Sequence, residues 1–291
     1  MANVYLGCPL WAHAPWKGRF FTAKASREEF LPQYARVFGT TEGNATFYGL
    51  PAPETVERWA AEAPADFRFC FKFPRVISHE KALVGAEAET KAFFERLAPL
   101  GHRLGPFFLQ LHESFGADRL TGLERYLDAL PQAWTYALEV RAPEFFAEGP
   151  AEARLDALLT ERGVNRVIFD TRALFASSAT DSATLDAKRK KPRVPVRRVA
   201  TGRCPFVRFV GDPHLETNDP LLQEWARTAA RWMAEGRTPY LFTHHPDDHF
   251  APDLARQLHR WLHEASPTRV PPPALWPVES ERPPATQLQL F

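Results

Sequence analysis

Eight short runs rich in aromatic and β-branched residues recur along the chain, each followed by a stretch with helical spacing. The runs cover residues 4–7, 41–47, 67–73, 107–111, 135–141, 166–170, 205–210 and 239–244. Strands separated by helix-length segments pair in parallel, because a parallel neighbour needs a crossover that a hairpin cannot supply. Eight such units predict an α/β fold, a single (β/α)8 TIM-like barrel. An open doubly wound sheet is the runner-up, but no G-x-G-x-x-G turn follows the first run. Helix starts are marked by Ser26 with Glu29 ahead of Phe30, by Pro53 before Val56 and Trp59, and by Asp219-Pro220 and Ala251-Pro252. Pro32 falls inside the first of these helices and shifts or kinks it.

The 291 residues suit one barrel and a tail better than two domains. We divide the chain into a barrel domain 1–265 with a basic insertion at 176–204, a proline-rich linker 266–286 and a terminal pentapeptide 287–291. An apolar fraction of 45% and a charged fraction of 24% exclude a collagen or a wholly disordered chain. Lys and Arg number 36 against 35 Asp and Glu, so only local clusters can speak for an anionic partner. Cys8, Cys70 and Cys204 have neither a disulfide pattern nor metal-ligand spacing. The first residues lack a basic, then apolar, leader, and no stretch reaches the ~18 apolar residues of a membrane span. The expectation is a cytoplasmic protein with no membrane partner.

Strand parity then points to a site. Alternate strand residues face opposite ways. Phe67, Phe69, Phe71 and Phe73 share one face and should meet the helices; Arg68, Cys70 and Lys72 should face the barrel axis. Ala137, Glu139 and Arg141 should likewise face inward, and Glu42, Asn44 and Thr46 share a face. Gln110, Asp170, Arg208 and His244 fall near strand C-termini, where barrel active sites lie. We therefore expect Glu42, Lys72, Glu139 and Asp170 to carry acid–base chemistry. Trp11, Asn44, Tyr48, His79, Gln110, Arg141, Arg208 and His244 are expected to hold the substrate. A structural ion network is the alternative. Three acids (Glu42, Glu139, Asp170) balance three bases (Lys72, Arg141, Arg208), which suits general acid–base work on a polar, partly anionic substrate. No cofactor is expected. His244-His245-Pro246-Asp247-Asp248-His249 suggests a divalent metal, but adjacent strand residues diverge and the spacing matches no ligand motif, so no metal ligand is assigned.

Several motifs resemble the domain of unknown function 72 (YecE-like) family. They are Gly7-Cys8-Pro9-Leu10-Trp11, Trp16-Lys17-Gly18-Arg19-Phe20-Phe21, Glu42-Gly43-Asn44-Ala45-Thr46-Phe47-Tyr48-Gly49-Leu50-Pro51 and Phe71-Lys72-Phe73-Pro74-Arg75. Gln110-Leu111, Glu139-Val140-Arg141 and Val207-Arg208-Phe209-Val210-Gly211 follow in order. The resemblance spans roughly residues 4–264. It implies a TIM barrel with a polar pocket at the C-terminal face and no particular activity. The chain departs from the family pattern at Pro9-Leu10, His112-Glu113, Ala142 and His244-His245.

Two segments suggest partners. Lys188, Arg189, Lys190, Lys191 and Arg193 form a basic run that could track a phosphate backbone or be a solvated loop. Gln287-Leu288-Gln289-Leu290-Phe291 resembles the bacterial sliding-clamp binding motif. Gln287 would hydrogen-bond while Leu288, Leu290 and Phe291 fill an apolar groove. Three functions remain open: an enzyme on nucleic acid or a phosphorylated sugar-like substrate, recruited to DNA by its tail; a non-catalytic clamp or DNA accessory protein; and a sugar isomerase or aldolase unrelated to DNA.

Overall fold

All eight expected strands are present and every pairing between them is parallel. The computed structural model describes residues 4–281. The strands are β1 Tyr5–Cys8, β2 Thr40–Gly43, β3 Arg68–Phe71, β4 Phe107–Gln110, β5 Tyr136–Glu139, β6 Asn165–Asp170, β7 Phe206–Val210 and β8 Tyr240–His244. Their order is β3-β2-β1-β8-β7-β6-β5-β4. The β3/β4 seam closes through isolated bridges, Phe69 with Leu104 and Lys72 with Phe108. The result is a (β/α)8 barrel.

The helices are α1 Phe30–Ala35, α2 Pro53–Glu62, α3 Glu87–Leu97, α4 Leu120–Asp128, α5 Pro150–Glu161, α6 Arg172–Ala176, α7 Ser182–Lys190, α8 Asp219–Ala234, α9 Ala251–Ala265 and α10 Pro277–Ser280. The expected start of α1 is half made. Glu29 reaches back to the Ser26 amide at 2.7 Å, yet the helix begins only at Phe30 and carries Pro32 in its first turn, where proline is tolerated.

Parity sorts the two layers as expected. Phe67, Phe69, Phe71 and Phe73 join the large apolar cluster shared with the helices. Cys70, Phe108, Ala137, Val167, Phe206, Tyr240 and Phe242 form a separate cluster inside the barrel. Tyr5 stacks on Tyr240 at 4.6 Å and Phe206 lies 4.8 Å from Phe242, filling the lower barrel with rings. Arg68 lies below this plug, 5.7 Å from the Tyr5 ring, while the remaining inward charged groups gather in the layer above, at the strand C-termini.

Three expectations need correction. The second run stops as a strand at Gly43; Asn44–Phe47 form a 3₁₀ turn. The Thr46 hydroxyl donates to Gly43 O and Lys72 O, which bends the chain and removes Thr46 from the inward face. The insertion 176–204 is not all loop, since α7 occupies residues 182–190 and Asp181 caps its N-terminus by accepting from the Thr184 amide at 2.9 Å. The proline-rich stretch is not an extended linker up to residue 281. Val270 and Trp276 are buried, Val278 N bonds Phe20 O at 3.2 Å, and Arg256 grips Glu279 at 2.7 and 3.1 Å. Its side chains and carbonyls find partners on α9 and the β1–α1 loop, so it straps down rather than projecting. Residues 282–291, including Gln287, Leu288, Leu290 and Phe291, lie outside the described residues.

Candidate functional site

Arg208 is the hub of the barrel mouth. From β7 its Nε donates to Glu42 Oε1 at 2.8 Å and its Nη2 to Glu42 Oε2 at 3.1 Å. Its Nη1 donates to Glu139 Oε2 at 2.6 Å. The guanidinium sits over the rings of Phe108 and Phe169, 5.1 and 4.9 Å away. One arginine from β7 thus ties carboxylates from β2 and β5 across the barrel axis. Such bidentate pairing offsets the desolvation of all three buried charges.

The network continues around the rim. Arg141 Nε donates to Glu139 Oε1 at 2.9 Å, and its Nη2 to Gln110 Oε1 at 3.0 Å. Lys72 Nζ donates to the same Gln110 oxygen at 2.8 Å and lies 3.8 Å from the centre of the Phe47 ring. Asn44 Nδ2 donates to Glu42 Oε2 and to Pro9 O, each at 3.0 Å. His244 Nε2 meets Glu42 Oε1 at 3.2 Å. A carboxylate only accepts, so this nitrogen carries the proton.

These surroundings set the protonation states. Burial alone would raise Glu42 and Glu139, but Arg208 outweighs it, helped by His244 at Glu42 and by Arg141 at Glu139. Both carboxyls are held well below the usual range. Burial lowers His244, leaving it neutral at pH 7. Burial and then the Arg208 charge bring Lys72 down to about 7. The two carboxylates are therefore ionised and fully engaged, and Lys72 is the group in the mouth that titrates near neutrality.

Lys191 joins this centre from the coil after α7. Its half-buried ammonium lies 5.9 Å from the Phe169 ring and has no hydrogen bond or ion pair among the described residues. Burial, then the charge of Arg208, lowers its pKa, while Asp248 and Glu42 oppose that. Glu42, Lys72, Glu139, Asn44, Gln110, Arg141, Arg208 and His244 are thus brought together as expected, and Lys191 is added.

The other expected residues take no part in the ionic network. Asp170 belongs to the outward face of β6, where it accepts from Trp225 Nε1 at 2.8 Å and pairs with Arg172 at 2.7 Å. The inward position at that level is taken by Phe169, so Asp170 has no place in the mouth. Trp11 packs edge-on against Trp59 and Phe69 in the helix layer. Tyr48 is 84% exposed on the rim. His79 stands beside Phe47 and His112, bonded to Ser78 Oγ at 2.8 Å. Burial and the nearby Lys72 charge lower it to about 4.

The basic run is dispersed rather than continuous. Lys188 donates to Ser177 O, Arg189 and Lys190 share Asp186 one helical turn back, and Arg193 lies over Phe175. Asp186, just ahead of the run, was the acid that its charge pattern concealed. No group of three or more His, Cys, Asp or Glu among the described residues could hold a metal ion. No helix among them is long and apolar enough to cross a membrane.

Fold and mouth together define a TIM-barrel protein whose C-terminal opening holds an arginine-centred ionic network. The profile described as "Protein of unknown function DUF72" matches residues 5–276, and the chain belongs to that family. It is 43% and 42% identical over 264 residues to the UPF0759 protein YecE of two Escherichia coli strains, covering 91% of this chain and 94% of the relative. Solved structures of DUF72 family proteins share the fold. One from Enterococcus faecalis superposes with a TM-score of 0.67 at 17% identity, over 89% of this chain and 95% of its own. One from Thermotoga maritima superposes at 0.65 and 20% identity, over 89% and 99%.

Proposed function

We propose that the barrel mouth binds a small phosphorylated, sugar-like substrate and that Lys72 is its acid–base group. The observation that carries this is Lys191, a half-buried ammonium with no partner among the described residues, aimed into a centre already rich in cations. With Asp170 turned outward and Lys191 turned in, the balance of three against three no longer holds. Lys72, Arg141, Lys191 and Arg208 face Glu42 and Glu139; even with Asp248 counted, the cations are in excess. A surplus of buried cationic donors favours an anion, and a phosphate accepts from several at once. Lys72, near 7, can take or return a proton at working pH.

A nucleic-acid backbone is the weaker reading. It needs a row of free cations, and Lys188, Arg189 and Lys190 are already engaged. The test is calorimetric titration of ribose 5-phosphate into the full chain and into Lys191→Ala. Binding to the wild type, weakened at least about tenfold in the variant with an unchanged melting temperature, supports the reading. Absence of binding, or equal binding, overturns it.

We also propose, from sequence alone, that residues 287–291 dock on the bacterial sliding clamp. Capture of purified clamp by the full chain, lost on removal of those five residues, supports this; no capture, or capture by both, refutes it.

A further inference from the structure

Beside the ionic mouth lies a groove of about 580 Å³, between the loop after β1, helices α1 and α2 and the loop after β2. Leu10, Trp11, Leu31 and Trp59 supply apolar lining, while Glu42 and Asn44 line its inner end. Those last two residues also belong to the mouth: Asn44 bonds Glu42 Oε2, and Glu42 holds Arg208. The groove therefore opens from the same side chains that anchor the ionic network. Its volume is that of a small-molecule site.

The two indoles give it a chemistry. Trp59 is half-buried, stacked on Phe71 at 5.9 Å and meeting Trp11 edge-on at 5.1 Å. Neither indole N–H has a hydrogen-bond partner among the described residues; those of Trp16 and Trp225 do, while that of Trp276 is sealed in the core without one. An indole N–H donates and cannot accept, so a ring carrying acceptor nitrogens or oxygens complements this wall. A saturated sugar can lay only C–H groups on these rings, whereas a flat heteroaromatic ring meets them with its whole face.

We infer that this groove is a second subsite of the mouth and takes the flat heteroaromatic part of a phosphate ester whose phosphate is held by Lys72, Arg141 and Lys191. The inference rests on the anion reading above and narrows the ligand to the class of nucleoside monophosphates. Asn44, at the junction, stands where the sugar between phosphate and base would pass.

The test compares adenosine 5′-monophosphate, cytidine 5′-monophosphate, ribose 5-phosphate and inorganic phosphate by calorimetry on the full chain. The nucleotides should bind at least about tenfold tighter than ribose 5-phosphate, the gain expected from stacking one base. Trp59→Phe and Trp11→Phe keep a ring but delete the N–H. Each should cut the nucleotide preference by about fivefold and leave ribose 5-phosphate affinity unchanged. Equal affinity for ribose 5-phosphate and nucleotides, or variants that weaken both esters alike, would overturn the subsite while the anion reading stands. If none of the four ligands binds, both readings fall.

Discussion

Arg208 shows why single residues in this mouth cannot be valued one at a time. Its replacement by alanine strands Glu42 and Glu139 without their shared counter-ion. We expect Arg208→Ala to lose about 3–5 kcal/mol of stability, measured by urea denaturation, because Glu42 is left with only the neutral donors Asn44 and His244 and Glu139 with Arg141 alone. Lys72 gives a pH signature. Its folded pKa of about 7 lies below the ordinary 10.5, so between those values the unfolded chain binds more protons. Stability from this group therefore rises with pH across that window. Lys72→Met should melt higher than wild type below about pH 7, with the difference shrinking as pH rises towards 10.5. Ligand binding runs the other way: ribose 5-phosphate affinity should fall through about pH 7 in the wild type and stay flat in Lys72→Arg, whose charge persists. Inward positions on β3 and β5 were legible from alternation; on β2 it placed Glu42 but not Thr46, and Arg208 of β7 was read from its nearness to the strand end. Asp170 was misread because both faces of β6 mix polar and apolar residues: Arg166, Ile168 and Asp170 on one, Asn165, Val167 and Phe169 on the other. Lys191 was legible only as part of a charge run, since coil has no period that says where a side chain points.

At the scale of elements, a second ionic cluster lies outside the barrel sheet. Arg166 of β6 is buried against α5, pairing with Asp156 at 2.7 Å and Glu152 at 3.3 Å and donating to Phe145 O. Arg197 reaches the same Glu152 at 2.7 Å, tying the coil after α7 to α5. Arg166→Ala should cost about 3–5 kcal/mol in denaturant titration yet leave ribose 5-phosphate binding intact in the folded fraction, because the cluster faces away from the mouth. The strap after α9 behaves as part of the barrel. Trp276 sits against Phe20 at 5.4 Å and under Arg256 at 4.7 Å. Trp276→Ala should therefore cost about 3 kcal/mol or more, where an exposed linker residue would cost almost nothing. Element order and type were readable because strand and helix periods alternate without interruption. The strap was not, since proline composition reports local stiffness and says nothing of what the stretch packs against.

For the whole molecule, near-neutral net charge conceals a local imbalance: Lys72, Arg141, Lys191 and Arg208 meet Glu42 and Glu139 in the mouth, above a core of rings. Strand length explains how. Each strand is only four to six residues, so the interior holds little more than an aromatic plug below and an ionic layer above. The layer is held by Arg208 and the two carboxylates, leaving Lys72, Arg141 and Lys191 with donors to spare. A crystal structure of the protein soaked with inorganic phosphate at about pH 6, where Lys72 is charged, tests that excess. Phosphate should lie within hydrogen-bond reach of Lys191 Nζ, with Arg208 still holding Glu42 and Glu139. Phosphate bound only elsewhere, or Lys191 withdrawn from the mouth with no anion beside Lys72 and Arg141, would contradict it.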